Sequence, residues 1–164
     1  IPAWVSAPAV KVNGKKIAQA IQPGSYCEIR RRWSAGDTVE LDLPMPVVLA
    51  ESHPLVEENR NHVAVMRGPL VYCLESVDLP KGAAIENVRL PRHARRKVQR
   101  ESNLLHGVTV LETQAQVASP SAKASSLYRP MSAGKSQSTT LRLIPYYAWC
   151  NRGIGEMMVW LPAL

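Results

Sequence analysis

The feature that most constrains this chain is a side-chain period of two. Val39, Leu41 and Leu43 alternate with Thr38, Glu40 and Asp42, which puts aliphatic side chains on one face of a strand and polar ones on the other. The pattern predicts a half-buried antiparallel strand. It is introduced by the turn-like Ser34-Ala35-Gly36-Asp37 and stopped by Pro44 and Pro46, which cannot donate to a ladder. Upstream, Val10-Lys11-Val12 and Lys15-Lys16-Ile17 flank Asn13-Gly14, the pair best suited to positive φ at both central positions of a two-residue hairpin. After a turn at Gln22-Pro23-Gly24, the alternation of Tyr26, Glu28 and Arg30 with Cys27 and Ile29 predicts a third strand.

The same signal recurs downstream. His62 to Met66 and Leu70 to Leu74 are apolar runs joined by Arg67-Gly68-Pro69, where a kink or bulge between two strand segments is expected. Val108 to Leu111, Leu141 to Ile144 and Met157 to Leu161 also read as strands. Leu79 to Gln99 does not, because it carries Pro80, Gly82, Pro91 and most of a basic run. Ser119 to Ser138, rich in Ser, Ala, Lys and Pro, is expected to be a long mobile loop. No helical stripe persists over three turns. Many short strands separated by turn signals predict an all-β fold, an antiparallel β-sandwich of jelly-roll type.

Composition narrows the class. No apolar run approaches the roughly 18 residues of a membrane span, so no membrane segment is expected. Three scattered cysteines, Cys27, Cys73 and Cys150, cannot form a disulfide framework; buried free thiols in a reducing, cytoplasmic setting are the expectation. The chain opens at Ile1-Pro2-Ala3-Trp4 without an initiator Met, and a piece of a longer protein is expected. Twenty Lys and Arg against 13 Asp and Glu give +7, concentrated in Arg30-Arg31-Arg32 and in the run Arg89, Arg92, Arg95, Arg96, Lys97 and Arg100. On alternating strands such charges point to water, and the second run holds no aromatic residue, so nucleic acid is not an expected partner.

A search for chemistry returns little. There is no nucleophile elbow, no phosphate-binding glycine loop, and no Cys-x-x-Cys or His at metal-ligand spacing from a Cys. Glu51, Glu57 and Glu58 lie near His53, but glycosidic acid-base work needs two carboxyls facing each other across a sugar, and a solvated loop is the simpler expectation. His53, His62, His93 and His106 have no recognisable partners. No catalytic, cofactor-binding or metal-binding residue is therefore assigned. For carbohydrate contact the candidates are Trp4, Trp33 and Tyr147, drawn from a wider set with Tyr26, Tyr146 and Trp149. Against them stands the core: without any Phe, a chain is expected to anchor its interior on Trp33, Tyr72, Trp149 and Trp160.

Three segments together carry a family resemblance. The first runs from Gly24-Ser25-Tyr26 through Arg32-Trp33-Ser34-Ala35-Gly36-Asp37 to Val39-Glu40-Leu41-Asp42-Leu43-Pro44-Met45-Pro46. The second, Val63-Ala64-Val65-Met66-Arg67-Gly68-Pro69-Leu70-Val71-Tyr72-Cys73-Leu74-Glu75, is the most specific. The third is Ile144-Pro145-Tyr146-Tyr147-Ala148-Trp149-Cys150-Asn151-Arg152-Gly153, ending in Glu156-Met157-Met158-Val159-Trp160-Leu161-Pro162. In order and spacing they resemble the C-terminal region of glycoside hydrolase family 127, the β-L-arabinofuranosidase family. Leu79 to Ser138 is the weakly matching part.

The resemblance implies an (α/α)6-barrel catalytic domain followed by β-sandwich domains. It also implies that the zinc-bound cysteine nucleophile, its Glu and Cys co-ligands and the acid/base carboxylate belong to a barrel preceding Ile1. Cys27, Cys73 and Cys150 lack the Cys-Cys or Glu-x-Cys context of that metal site, so no zinc is expected on this chain. By the same analogy, residues 1–78 and 140–164 would form the main sandwich and 79–139 a smaller inserted β subdomain with long mobile loops. The expected role is a non-catalytic accessory region whose partner is the missing barrel, with self-association through an exposed sheet edge or apolar face. The alternatives are a carbohydrate-binding module using Trp4, Trp33 and Tyr147, and a standalone hydrolase, for which no turnover is expected.

Overall fold

The computed structural model describes residues 1–118, 128 and 135–164. Their regular structure is twelve strands and four short 3-10 turns, so the all-β expectation holds. The chain divides into two compact units, Ile1–Pro46 with Arg67–Pro69, and Val47–Met66 with Leu70–Leu164. This is not the expected division. Residues 47–66 sit with the second unit because β4 (Val47–Ala50) pairs with β5 (His62–Arg67). Nor is 79–139 a separate insert, since strands inside that stretch are hydrogen-bonded neighbours of strands outside it.

In the first unit β1 (Ala9–Val12), β2 (Lys15–Lys16) and β3 (Val39–Asp42) form a three-stranded sheet in the order β2-β1-β3. The predicted hairpin is present: Val12 pairs with Lys15, and the two residues between them have φ of 50° at Asn13 and 75° at Gly14. Asn13 does more than turn the chain. Its Oδ1 accepts the Thr38 backbone N–H at 2.8 Å, and its Nδ2 donates to Asp37 Oδ1 at 2.7 Å, which ties the hairpin to the start of β3. That bond, the Ser34 backbone N–H and the Arg31 charge hold the Asp37 carboxyl below its ordinary range.

The register places Val10 opposite Leu41 and Val12 opposite Val39, so all four share one face. Val10 and Val12 are buried, whereas Val39 and Leu41 are 53% and 51% exposed. The predicted strand thus exists, but on the edge of its sheet and with its aliphatic side uncovered. The strand expected at Tyr26 to Arg30 does not form. Cys27 and Ile29 are half-buried between exposed neighbours, as alternation requires, yet no ladder is made there.

The second unit holds a nine-stranded sheet ordered β12-β5-β6-β10-β9-β7, with β4 on β5, β11 on β6 and β8 on β9. Here β6 is Leu70–Glu75, β7 Val88–Arg89, β8 Arg96–Glu101, β9 Val108–Ala118, β10 Ser136–Pro145, β11 Met157–Met158 and β12 Trp160–Pro162. β5 and β6 are neighbours joined by Gly68-Pro69, so the expected kink is instead a full reversal. Gly68 has φ of 56° and proline fixes a negative φ, the combination of a II′ hairpin turn. The basic run, expected to be irregular, contains β7 and β8. Most of the expected Ser119 to Ser138 loop lies outside the described residues, and its end, Ser136 to Ser138, already belongs to β10.

β10 changes partners along its length: Leu143 pairs with Leu111 of β9, whereas Ile144 pairs with Cys73 of β6. Both faces at this crossing are covered. Val63, Val65, Tyr72, Leu74, Leu111, Ala115, Val117, Leu141, Leu143 and Leu161 share the large core, while Cys73, Val108, Val110, Ile144 and Ala148 form a smaller cluster on the opposite side. β9 shows the switch directly, with Val110 and Leu111 both fully buried but in different clusters. The interior is aliphatic, and the aromatic-anchor expectation holds only for Tyr72, which is 1% exposed. Trp33 and Trp149 are surface residues and Trp160 is half-buried. Leu, Ile and Val from the many short strands of the second unit fill its interior without needing large rings.

Candidate functional site

The most organised polar and aromatic arrangement lies where β10 ends. Pro145 is followed by a 3-10 turn, Tyr146–Ala148, whose Ala148 is buried in the small cluster. This orientation turns Tyr146 and Tyr147 outward, and Trp149 follows them onto the surface. The rings of Tyr146 and Trp149 stack with centroids 6.1 Å apart and planes inclined by 21°.

The segment after this turn is clamped to β6 by a buried ion cluster. Arg152 Nε donates to Glu75 Oε2 at 2.9 Å, Nη1 donates to Asp78 Oδ1 at 3.0 Å, and Nη2 reaches both carboxylates. Glu75 Oε1 also accepts the backbone N–H of Cys150 at 3.0 Å, where the chain adopts a φ of 66°. Side-chain exposure is 12% for Arg152, 6% for Glu75 and 8% for Asp78. Burial works against the Arg152 charge, but its bonds to Asp78 and Glu75 outweigh that and hold the guanidinium above its ordinary range. Arg142 lies 3.8 Å from Asp78 and 3.2 Å from Glu101, which extends the network toward β8. Nothing in the local sequence marks this cluster, because Arg152 lies 77 and 74 residues from the two carboxylates it binds.

The three carbohydrate candidates fall in different units. Trp4 and Trp33 belong to the first unit and Tyr147 to the second. Trp4 is 36% exposed, Trp33 47% and Tyr147 65%. One face of Trp33 carries the Arg31 guanidinium, 5.0 Å from the ring centroid, a cation–π contact that leaves only the other face for stacking. Tyr146 and Trp149 likewise spend one face on each other.

The thiols do not fit the zinc chemistry that the resemblance implies for a catalytic domain. Cys73 is fully buried, and its pKa is pushed up to about 12 by burial and then by the Glu75 charge, so it is a neutral thiol at physiological pH. The neighbouring carboxylates of Glu75 and Asp78 are already bound by Arg152. Among the described residues no three His, Cys, Asp or Glu side chains are grouped closely enough to hold a metal ion. The expectation of buried cysteines holds for Cys73, while Cys27 is half-buried and Cys150 exposed. A thiol-reactive dye is therefore expected to label Cys150 in the folded chain and Cys73 only after denaturation. Rapid native labelling of Cys73 would contradict its placement.

The carboxylates near His53 are surface groups: Glu57 pairs with Arg60 and Glu51 with Arg92. In the basic run, Lys97 lies 3.8 Å from Glu112, and the Arg89 and Arg96 guanidiniums are held by backbone carbonyls. No helix among the described residues is long and apolar enough to cross a membrane.

Comparison with known proteins agrees with the fold. A family model described as the glycoside hydrolase family 127 C-terminal domain matches residues 47–162, and one described as the family 127 β-L-arabinofuranosidase middle domain matches residues 1–45. Their seam coincides with the break between the two structural units at Pro46. A non-reducing end β-L-arabinofuranosidase of Bifidobacterium longum is 36% identical over 97% of this chain and 24% of its own length. A solved family 127 β-L-arabinofuranosidase from Geobacillus stearothermophilus is 44% identical with a TM-score of 0.87, covering 100% of this chain and 26% of its own. Another solved glycoside hydrolase is 44% identical with a TM-score of 0.89, covering 99% and 27%. The chain thus spans about a quarter of the length of these relatives. On the residues matched, the chain belongs to glycoside hydrolase family 127.

Proposed function

We propose that these residues form a non-catalytic accessory region of a β-L-arabinofuranosidase-like glycoside hydrolase, packing against and stabilising a catalytic domain that lies outside them. The observation that carries this reading is the match to the C-terminal and middle domain models, in relatives about four times as long. The zinc and reactive thiolate of such an enzyme reside in that catalytic domain, which suits the inert state of Cys73 here. Exposed apolar residues support the packing role. Val39 and Leu41 on β3, and Tyr146, Tyr147 and Trp149 on the aromatic turn, are the kind of surface that a protein partner covers. In the isolated chain the same residues drive self-association. Arg152 then acts as a positioning residue, holding the segment that follows the aromatic turn.

A carbohydrate platform built on aromatic side chains is disfavoured where a ring face is already in use, at Trp33, Tyr146 and Trp149. The two readings separate in a paired experiment. Leu41→Glu with Tyr147→Glu is expected to lower the melting temperature of the full-length enzyme by several degrees while leaving that of the 164-residue chain, measured dilute enough to be monomeric, nearly unchanged. Equal small effects in both would show that these side chains meet no partner domain.

A further inference from the structure

A second polar arrangement lies on the loop between β4 and β5. Glu51, His53, Asn59, Asn61 and His62 line a cleft of about 370 Å³ that Arg92 closes from the β7–β8 connection. A volume of this size falls within the range usual for small-molecule sites. Glu51 and Arg92 form an ion pair, so the cleft offers a carboxylate and a guanidinium side by side. The side-chain amides of Asn59 and Asn61 have no hydrogen-bond partner among the described residues.

The two imidazoles are fixed in opposite tautomers by the backbone. His53 Nδ1 accepts the Leu55 backbone N–H at 3.2 Å, so in the neutral ring the proton sits on Nε2, which is a donor. His62 Nδ1 lies 2.7 Å from the Arg60 carbonyl oxygen, which can only accept, so Nδ1 carries the proton and Nε2 is left as an acceptor. Neither assignment depends on a bound molecule. The residues lining one cleft thus include an imidazole with a donor Nε2, an imidazole with an acceptor Nε2, two free carboxamides and a carboxylate–guanidinium pair.

We propose that this cleft binds a neutral polyhydroxylated molecule the size of one sugar ring. A hydroxyl group both donates and accepts, so vicinal hydroxyls match alternating donors and acceptors, whereas an anion needs donors and unspent positive charge. Charge here is already spent: Arg92 is matched by Glu51, and Arg60 is matched by Glu57 at 3.0 Å. The Glu51 carboxylate would also repel an anion from the same opening. No Trp or Tyr lines the cleft, so affinity comes from hydrogen bonds and is weak.

The test is an amide-shift NMR titration of the 164-residue chain with L-arabinose and, in parallel, with inorganic phosphate. Saturable shifts of the Leu55 backbone amide and the Asn59 and Asn61 side-chain amides are expected with the sugar at tens of millimolar. His53→Ala and, independently, Glu51→Gln are each expected to weaken sugar binding roughly three- to tenfold, the worth of a lost hydrogen bond, without changing the melting temperature. Both side chains are exposed, so the variants keep the fold. Absence of any saturable sugar shift, saturation by phosphate in preference to sugar, or unchanged sugar affinity in both variants would each overturn the proposal.

Discussion

Replacing Arg152 by Met is expected to remove about 3–5 kcal/mol of stability, the usual cost of leaving buried charges without their partner. Glu75 and Asp78 are 6% and 8% exposed, and Arg152 is the group that faces both at hydrogen-bond distance. Once it is gone, two carboxylates must share a site with little access to water, or one must take up a proton. For a chain of this length each kcal/mol shifts the melting temperature by roughly 2–4 °C, so a fall on the order of 10 °C follows. Arg152→Lys keeps the charge but loses the planar fork that reaches both acids, and is expected to fall between wild type and Met. Combining Arg152→Met with Glu75→Gln and Asp78→Asn should restore part of the loss. A single-variant shift within about 2 °C would mean that the carboxylates find water and that the cluster does not hold the segment.

The second large effect is at Gly68. Its φ of 56° lies in the left-handed region, and a Cβ built there would stand 2.9 Å from Met45 Cγ, 3.0 Å from Met45 Cε and 3.3 Å from Trp4 Cζ3. Methionine can swing away, so the contact alone is survivable. The backbone angle is not negotiable, because the II′ turn that joins β5 to β6 depends on it. Gly68→Val therefore combines strain of about 1–3 kcal/mol with a forced repacking of Met45, and Gly68→Ala should show a smaller share of both. Thermal unfolding of the two variants checks this. An unchanged melting temperature in the Val variant would contradict the turn assignment.

These two sites show why some of the structure is visible in the sequence and some is not. Asn13-Gly14 could be read as a hairpin because a two-residue I′ turn is specified by the residues that occupy it. Gly68-Pro69 announces a break just as clearly, but whether the chain kinks or reverses depends on whether β5 and β6 pair, which is not a local property. The alternation at Tyr26 to Arg30 looks like that at Val39 to Asp42, and only the second finds a neighbour, β1, to ladder with. β8 was hidden for the opposite reason. It is an edge strand on β9 whose side chains are largely charged, so its apolar period is faint even though six of its residues are in register. Arg152 was legible as part of a family-like segment, but its role was not, since Glu75 and Asp78 lie on the far side of β7 to β10 in the chain.

The division of the chain illustrates the same limit. An insert spanning 79–139 is an expectation from the family analogy rather than from the composition of that stretch. The strands within it complete a core with Val63, Tyr72 and Leu161, and burying those aliphatic faces outweighs any tendency to stand apart. The true seam follows Pro46, where proline stops β3 and β4 begins the next sheet.

The central claim is that this region supports catalysis without performing it. The most direct measurement is hydrolysis of an aryl β-L-arabinofuranoside by the purified 164-residue chain, supplied with zinc and a thiol reductant, beside the full-length protein. The account predicts release by the full-length protein and none above the uncatalysed rate by the chain. Turnover by the chain that disappears on replacing Cys73 or Cys150 would place the reactive thiolate on these strands and contradict the account.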